Sequence, residues 1–317
     1  MTQVNRNKPV RAKSSESQYS LIEFMKDYPD DATCLEWLWR NRYSNDGVNA
    51  YCHKCDRERP FKRYDTSQQR QSWTCTACGN HIHPTGGTIF HKSSTSLHLW
   101  FYAMYLMTST RCGISAKQLE RELGVTYKTA WRMAKEIRQT LMVQTDEPLG
   151  KTEGVELDET YIGGKAKNMH RAKRERLGGR GTAGKIAVFG AVERQGRVVA
   201  VTVPNVDRVT LLPHIRKHVM PASTVYTDEM GAYDPLKWNG YRHQIINHSE
   251  HVYVSGDIHT NTIEGFWSLV KRGIGGVYHA VSSKHLQGYL NEYAWRYNHR
   301  NGGRIMFETL LLRVLGR

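Results

Sequence analysis

No stretch of this 317-residue chain is both long and apolar enough to cross a bilayer. The longest nearly apolar run, Leu97 to Met107, is interrupted by His98 and falls well short of the roughly 20 residues a spanning helix needs. Residues 1–20 lack the apolar core of a secretory signal; Arg6, Lys8, Arg11 and Lys13 stand among Ser and Asn, which reads as a mobile basic tail. Acid is scarce too, with 30 Asp and Glu against 45 Lys and Arg, a net charge of +15. Such an excess points to a polyanionic partner, most simply nucleic acid, with an acidic protein as the weaker alternative. Six cysteines in a chain of this length exclude a disulfide-stapled mini-domain, and 39% hydrophobic residues suffice for a real core. The expected setting is the cytoplasm, near the nucleoid, where grouped thiols are metal ligands rather than disulfides.

What is there changes character along the chain. Helical spacing of Leu21, Phe24, Met25, Leu35, Leu38 and Trp39 predicts two short helices over Leu21–Tyr43, with Asp30 and Asp31 placed to cap the second. From Ala50 to about Thr88 short β-like pieces surround cysteine pairs, and Leu97–Thr108 returns to helix. Asp146, Pro148 and Gly150 break the pattern and suggest a domain boundary. Beyond them, Val155–Ile162, Lys185–Glu193, Arg197–Val203 and Thr224–Asp228 read as strands, with a hairpin turn at Gln195-Gly196 and a helix over Val206–Val219. Asn261–Arg300 is expected to be largely helical, broken near Gly275-Gly276.

Cys52-x-x-Cys55 is followed after nineteen residues by Cys75-x-x-Cys78, the separation of four-thiolate zinc ribbons. Each pair turns backbone amides toward its thiolates, and two pairs close a tetrahedron with no open position, so structural Zn²⁺ is expected. His53, His81 and His83 lie near enough to substitute, while Cys34 and Cys112 read as ordinary buried thiols.

Ser115 to Leu141 reads as a helix-turn-helix: Ala116–Leu123, a turn at Gly124-Val125, then Thr126–Leu141. Thr126, Tyr127, Lys128 and Arg132 would reach double-stranded DNA from the second helix, with Lys135 and Arg138 on phosphates. A helical hairpin with a solvated charged face is the alternative. Residues 165–185 carry eight Lys and Arg, among them Lys165, Lys167, Arg171, Lys173 and Arg174, against Glu175 alone. This loop is expected to contact phosphates in a salt-dependent, sequence-blind way.

The third constellation is acidic. Val155 and Leu157 face one side of a strand while Asp158 faces the other. Asp228 ends a second β-like run, and Glu264 stands in the first turn of a later helix, where Lys271 shares its face beside an apolar stripe of Ile263, Phe266, Val270 and Ile274. Asp158, Asp228 and Glu264 are hard oxygen ligands suited to two Mg²⁺ ions about 3.5 to 4 Å apart, with Lys271 and Arg272 on DNA phosphate. Competing readings remain at this stage: Glu264 as capping-box partner of Asn261, Asp228 as a strand boundary, and Glu159, Glu229, Asp234 or Asp257 as ligands.

Several of these motifs together carry a likeness. Cys52-x-x-Cys55 with Cys75-x-x-Cys78-Gly79, Gly86-Gly-Thr-Ile-Phe90, Gly124-Val-x-x-Lys-Thr-Ala-Trp131, Val155-Glu-x-Asp158-Glu-Thr-Tyr-x-Gly-Gly164, Thr227-Asp228 with Tyr233, His259-Thr-Asn-Thr-Ile-Glu264 running to Lys271-Arg-Gly273, and Tyr293-x-x-Arg296-Tyr-Asn298 span nearly the whole chain. They resemble bacterial insertion-sequence transposases of the ISXO-like group, relatives of the Merlin-type transposons within the DDE superfamily. The resemblance implies a multidomain α+β protein: a tail (1–20), short helices and a zinc ribbon (21–92), a helix-turn-helix region (93–145), and an RNase H-like α/β catalytic domain with a mixed sheet (151–317). It implies Asp158 on the first strand, Asp228 after the fourth, and a third Mg²⁺ ligand on the following helix, assigned to Glu264 with Asn261 as the alternative. Mn²⁺ would substitute for Mg²⁺. The implied reaction cuts at terminal inverted repeats, frees a 3′ hydroxyl and joins it to target DNA, and pairing two ends calls for a homodimer or larger assembly. Two other classes compete: a domesticated, non-catalytic DNA-binding regulator, and a structure-specific nuclease that cuts without joining.

Overall fold

The computed structural model describes residues 19–64, 71–110, 112–164, 170–176, 181–246 and 259–316, with the side chains of 173, 174 and 176 left out. Most of the basic tail, Lys165, Lys167, Asp257 and the Lys173 and Arg174 side chains therefore lie outside the described residues. The chain is mixed α+β and divides into two compact units. One holds residues up to Ser109 together with Leu123–Val125 and His299–Arg317; the other holds Thr110–Glu122 and Thr126–Asn298.

In the first unit, α1 (Leu21–Asp27) opens with a reciprocal capping box between Ser20 and Glu23. Asp30 caps α2 (Asp31–Arg42) by accepting from Thr33 N at 2.8 Å. Asp31 in turn accepts from His98 N at 2.8 Å at the start of α3 (Leu97–Ser109), so one acidic pair orders two helix ends. Between them runs an antiparallel four-stranded sheet, β1 (Asn49–Cys52), β2 (Arg57–Tyr64), β3 (Ser72–Cys75) and β4 (His81–Ile82). Trp39 of α2 stacks on Trp73 of β3 with centroids 4.8 Å apart, which gives this small sheet an aromatic floor. Phe24 is fully buried among Tyr28, Tyr105 and Phe307, the last from α10 (Gly303–Arg313) near the C-terminus. Chain order alone gives no hint that residues 299–317 join this unit.

The second unit contains α4 (Ala116–Leu123, whose last residue groups with the first unit) and α5 (Tyr127–Glu136), which continues as a π-helical turn over Ile137–Leu141. Gly124, between them, has φ +62°, a conformation an L side chain adopts only with strain. The mixed sheet follows: β5 (Val155–Ile162), β6 (Ile186–Glu193), β7 (Val198–Val203), β8 (Thr224–Thr227) and β9 (Arg242–Ile245), in the order β7-β6-β5-β8-β9. β5, β6 and β7 pair antiparallel, whereas β8 runs parallel to both β5 and β9. The crossover from β7 to β8 is α7 (Arg208–His218); the short α6 (Arg171–Arg176) lies between β5 and β6, and a 3₁₀ segment, Gly231–Trp238, follows β8. One sheet face, with Val155, Leu157 and Phe189, buries against α7 and Tyr233 and Leu236 of the 3₁₀ segment. The other, with Val188, Val192 and Ala200, buries against α8 (Asn261–Gly276) and α9 (Ser283–Asn298). Ile263, Phe266 and Val270 form the expected α8 stripe, joined by Trp267.

Among the described residues no helix is long and apolar enough to cross a membrane.

Candidate active site

Strand register decides where the carboxylates go. β5 pairs with β8 only at Val155↔Val225 and Glu156↔Tyr226, so two residues further along each parallel strand Asp158 comes level with Asp228. Asp228 directly follows the carboxyl end of β8, while Asp158 lies in the middle of β5, just past its last pair with β8 and still paired with β6. Asp158, Glu159 and Asp228 each offer an oxygen within 4.8 Å of the others, and all three are partly buried. Asp158 Oδ1 accepts from Glu159 N at 2.8 Å, Asp228 Oδ1 from Met230 N at 3.1 Å, and Glu159 Oε2 from the Tyr233 hydroxyl at 2.7 Å. One oxygen of each is thereby fixed in direction.

The group is electrostatically stressed. Burial, followed by the charges of Glu159 and Asp228, pushes the Asp158 carboxyl up to about 7 against the opposing Glu159 N–H. Burial and the charge of Asp228 raise Glu159 as well, with the Tyr233 hydroxyl working against them. The buried indole N–H of Trp267 faces Asp158 closely enough to lower that carboxyl. Crowded acids with raised values and an all-oxygen ligand set fit a hard divalent cation, which would relieve the repulsion.

Glu264, on the first turn of α8, is exposed and accepts from Thr260 Oγ1 at 3.2 Å; it is not one of the three carboxylates brought together. Asn261, Lys271 and Arg272 are also exposed on α8. The capping-box alternative for Glu264 is not formed, because the N-cap is Thr260 and makes no side-chain cap bond. Glu159, which spacing could not separate from its competitors, is the acid that completes the close group. Glu156 is a residue the sequence reading does not single out; the one signal was an acid two places before Asp158 on the same strand face.

The four cysteines behave as their spacing predicts. Cys52 ends β1 and Cys75 ends β3; Cys55 and Cys78 follow in the adjoining turns, and the four sulfurs lie within 4.8 Å of one another. Cys52 Sγ and Cys78 Sγ are 3.5 Å apart. Desolvation pushes the Cys75 thiol up, yet the N–H groups of Cys78 and Ala77 outweigh it and bring it down to about 7. Such a cluster could bind zinc. Cys34 is buried as expected, but Cys112 is exposed, because it follows the end of α3 in a turn rather than within a helix face.

On the helix-turn-helix, Thr126, Tyr127 and Lys128 are exposed and Arg132 is half-buried. Thr126 caps α5 by accepting from Thr129 N, and Lys135 lies over the Trp131 ring at 5.8 Å. Arg138 departs from expectation. It is 3% exposed and its Nε donates to Glu292 Oε2 at 2.6 Å, so it cannot reach a phosphate. Arg171 on α6 is exposed and pairs with Glu175 at 2.8 Å.

Comparison with known proteins bears on most of the chain. Residues 150–298 match the model of the ISXO2-like transposase domain. Over 286 residues the chain is 31% identical to a protein of Halobacterium salinarum described as an uncharacterized protein in transposable element ISH50, covering 86% of this chain and 92% of that one. A Haemophilus influenzae protein described as an uncharacterized transposase-like protein is 40% identical over 102 residues, 32% of this chain and 81% of that protein.

Proposed function

This chain belongs to the ISXO2-like transposase family, and from that premise we propose that it is the DNA-cutting and DNA-joining enzyme of an insertion sequence. In this reading it binds the terminal inverted repeats, cleaves to free a 3′ hydroxyl, and joins that hydroxyl to target DNA. The observation that carries the proposal is the convergence of Asp158 and Glu159 of β5 with Asp228, which follows the parallel strand β8. The sheet order supports the RNase H-like reading expected for residues 151–317, of which 299–317 group with the first unit instead.

Asp158 and Asp228 would hold Mg²⁺, with Glu264 as the third ligand; Asn261 on the same helical turn and Glu159 beside Asp158 are its alternatives. Bound divalent ions supply activation of the attacking oxygen and stabilisation of the leaving one. The chain's own residues do the rest. Met230 N and Glu159 N orient two of the carboxyls, and Tyr233 restrains Glu159. Lys271 and Arg272, exposed on α8, would hold phosphate, while Thr126, Tyr127, Lys128, Arg132 and Lys135 read the repeat; Arg171 and its basic neighbours add salt-sensitive contact. Zn²⁺ on Cys52, Cys55, Cys75 and Cys78 would staple the first unit's small sheet. Each active site acts on one end, so a homodimer or larger assembly is expected, working in the cytoplasm on the nucleoid.

The test is joining of a labelled fragment from the gene's flanking repeats to plasmid with Mg²⁺, comparing native protein with Asp158→Ala, Asp228→Ala and Glu264→Ala. Joining by native protein, with all three variants binding but inert, is the expected result. Cutting without joining would make it a nuclease; specific binding without cutting would make it a regulator. Activity in Glu264→Ala would move the third ligand to Asn261 or Glu159.

A further inference from the structure

Glu156 is fully buried on β5, two residues before Asp158 and on the same face of the strand. Its carboxylate is held from several sides. Oε2 accepts from Thr262 N at 2.9 Å and Ile263 N at 3.0 Å, and Oε1 accepts from Thr262 Oγ1 at 2.9 Å and Arg194 Nε at 2.8 Å. His259 Nδ1 stands 3.2 Å from Oε1 without hydrogen-bonding geometry. Arg194 is itself fixed: its guanidinium lies 3.9 Å over the Tyr226 ring, and its Nη2 donates to His259 O at 2.7 Å.

The partners of Glu156 are the first-turn amides of α8. A helix normally satisfies these donors with its own N-cap side chain or with water, and the N-cap here, Thr260, makes no such bond. A carboxylate from the neighbouring strand does so instead, where the helix dipole favours a negative charge. A second contact sets how closely the helix approaches. Gly190 is paired with Asp158 across β5 and β6, and a Cβ there would meet Trp267 at 2.3 Å and Ile263 at 3.1 Å. Gly190 thus lets α8 sit flush on the sheet, and Glu156 stops it from sliding or rotating there.

We propose that Glu156 is a positioning residue for the cutting reaction: it pins the first turn of α8, which carries Asn261 and Glu264, at a set register against Asp158. The inference rests on the transposase reading of Asp158 and α8. Its physical content is that ligands from a strand and from a helix keep a constant separation only if something rigid joins the two elements. Side chains that orient ligands in this way are typically worth about tenfold to a hundredfold in metal affinity or activity.

Full-length protein carrying Glu156→Gln keeps the side-chain volume but places an amide against Thr262 N, Ile263 N and Arg194. Three measurements are made: amide hydrogen exchange across 259–266, Mn²⁺ binding by calorimetry, and cleavage of repeat DNA. Exchange at Thr262 and Ile263 should accelerate, and Mn²⁺ affinity and cleavage rate should each fall about tenfold or more. Binding of the repeat, which α5 reads and to which α8 adds only Lys271 and Arg272 beyond its pinned first turn, should stay within about twofold by the same argument. Thr262→Val, which removes one hydroxyl bond and leaves the helix intact, should show the same losses at a smaller scale. Native Mn²⁺ affinity and cleavage in Glu156→Gln would overturn the proposal; if that variant fails to fold, native values in Thr262→Val would overturn it equally. A native protein that binds Mn²⁺ without cutting would sink the transposase reading alone, with exchange and affinity still judging Glu156. One that does neither would sink both.

Discussion

Arg138 offers the sharpest test of the packing, because sequence and structure give it opposite roles. Its Nε meets Glu292 Oε2 at 2.6 Å, its guanidinium lies 4.3 Å over the Tyr289 ring, and both members of the pair are almost fully buried. Glu292 is also held by Arg296 Nη2 at 2.7 Å and by the Tyr278 hydroxyl at 3.1 Å. Removing one partner of a buried pair costs about 3 to 5 kcal/mol, chiefly by stranding the other charge. Here Arg296 and Tyr278 remain, so Arg138→Ala should cost about 3 kcal/mol, the low end of that range.

The pH dependence gives the sign. Burial pushes the Glu292 carboxyl up, but Arg138 and Arg296 outweigh it and hold it below the usual range. A depressed carboxyl contributes stability above its unfolded value that is lost as pH falls through the folded one. Without Arg138 the depression weakens, Glu292 takes up a proton at higher pH, and the stranded charge disappears. The deficit of Arg138→Ala in urea denaturation should therefore be largest above the usual carboxyl range and shrink as the pH falls into and below it. The double variant Arg138→Ala/Glu292→Gln should recover part of it. Salt dependence of DNA binding should stay native, since Arg138 contacts no phosphate. A deficit below about 1 kcal/mol, the scale of an exposed pair, or a salt slope lowered by about one, the signature of a lost phosphate contact, would refute the reasoning.

Three further outcomes follow from the same structure. Cys75→Ala or strong chelation should unfold the first unit's small sheet, read as loss of Trp39–Trp73 near-ultraviolet circular dichroism with release of about one zinc per chain; a protein free of zinc, or untouched folding, would contradict it. Lys128→Ala should weaken repeat binding nearly uniformly across sequences and lower the log-log salt slope by about 0.9, measured by fluorescence anisotropy. Asp158→Asn should stabilise the Mg²⁺-free protein: a carboxyl raised to about 7 costs stability as pH rises from about 4 through 7, so the gain should grow across that window, level off above it and shrink when Mg²⁺ is added. A gain independent of pH would tell against the crowded-carboxylate account.

The paired cysteine knuckles, the paired helices after Ser115 and the strand that carries Asp158 were all legible in the sequence, for a common reason. Each is specified by contacts within a few residues: a two-residue spacing between thiols, a glycine at positive φ, an alternation of apolar and polar side chains. Val155–Ile162 and Ala116–Leu123 match their expected bounds because patterning acts on the backbone locally. Even the α8 stripe and the break after Gly276 follow from helical periodicity.

Tertiary structure decided everything that depends on which strand lies beside which. The parallel register of β5 and β8 brings Asp158 level with Asp228 and draws Glu159 into their company, while Glu264 turns to Thr260. Arg138 looks like any surface cation in a basic helix until α9 supplies Glu292, 154 residues later, to bury it. Glu156 reads as one more acid in a strand, and only the arrival of α8 makes it that helix's cap. The physical reason is the same in each case. A charge has no intrinsic role; its partners and its burial assign one, and those come from parts of the chain that local sequence cannot bring together.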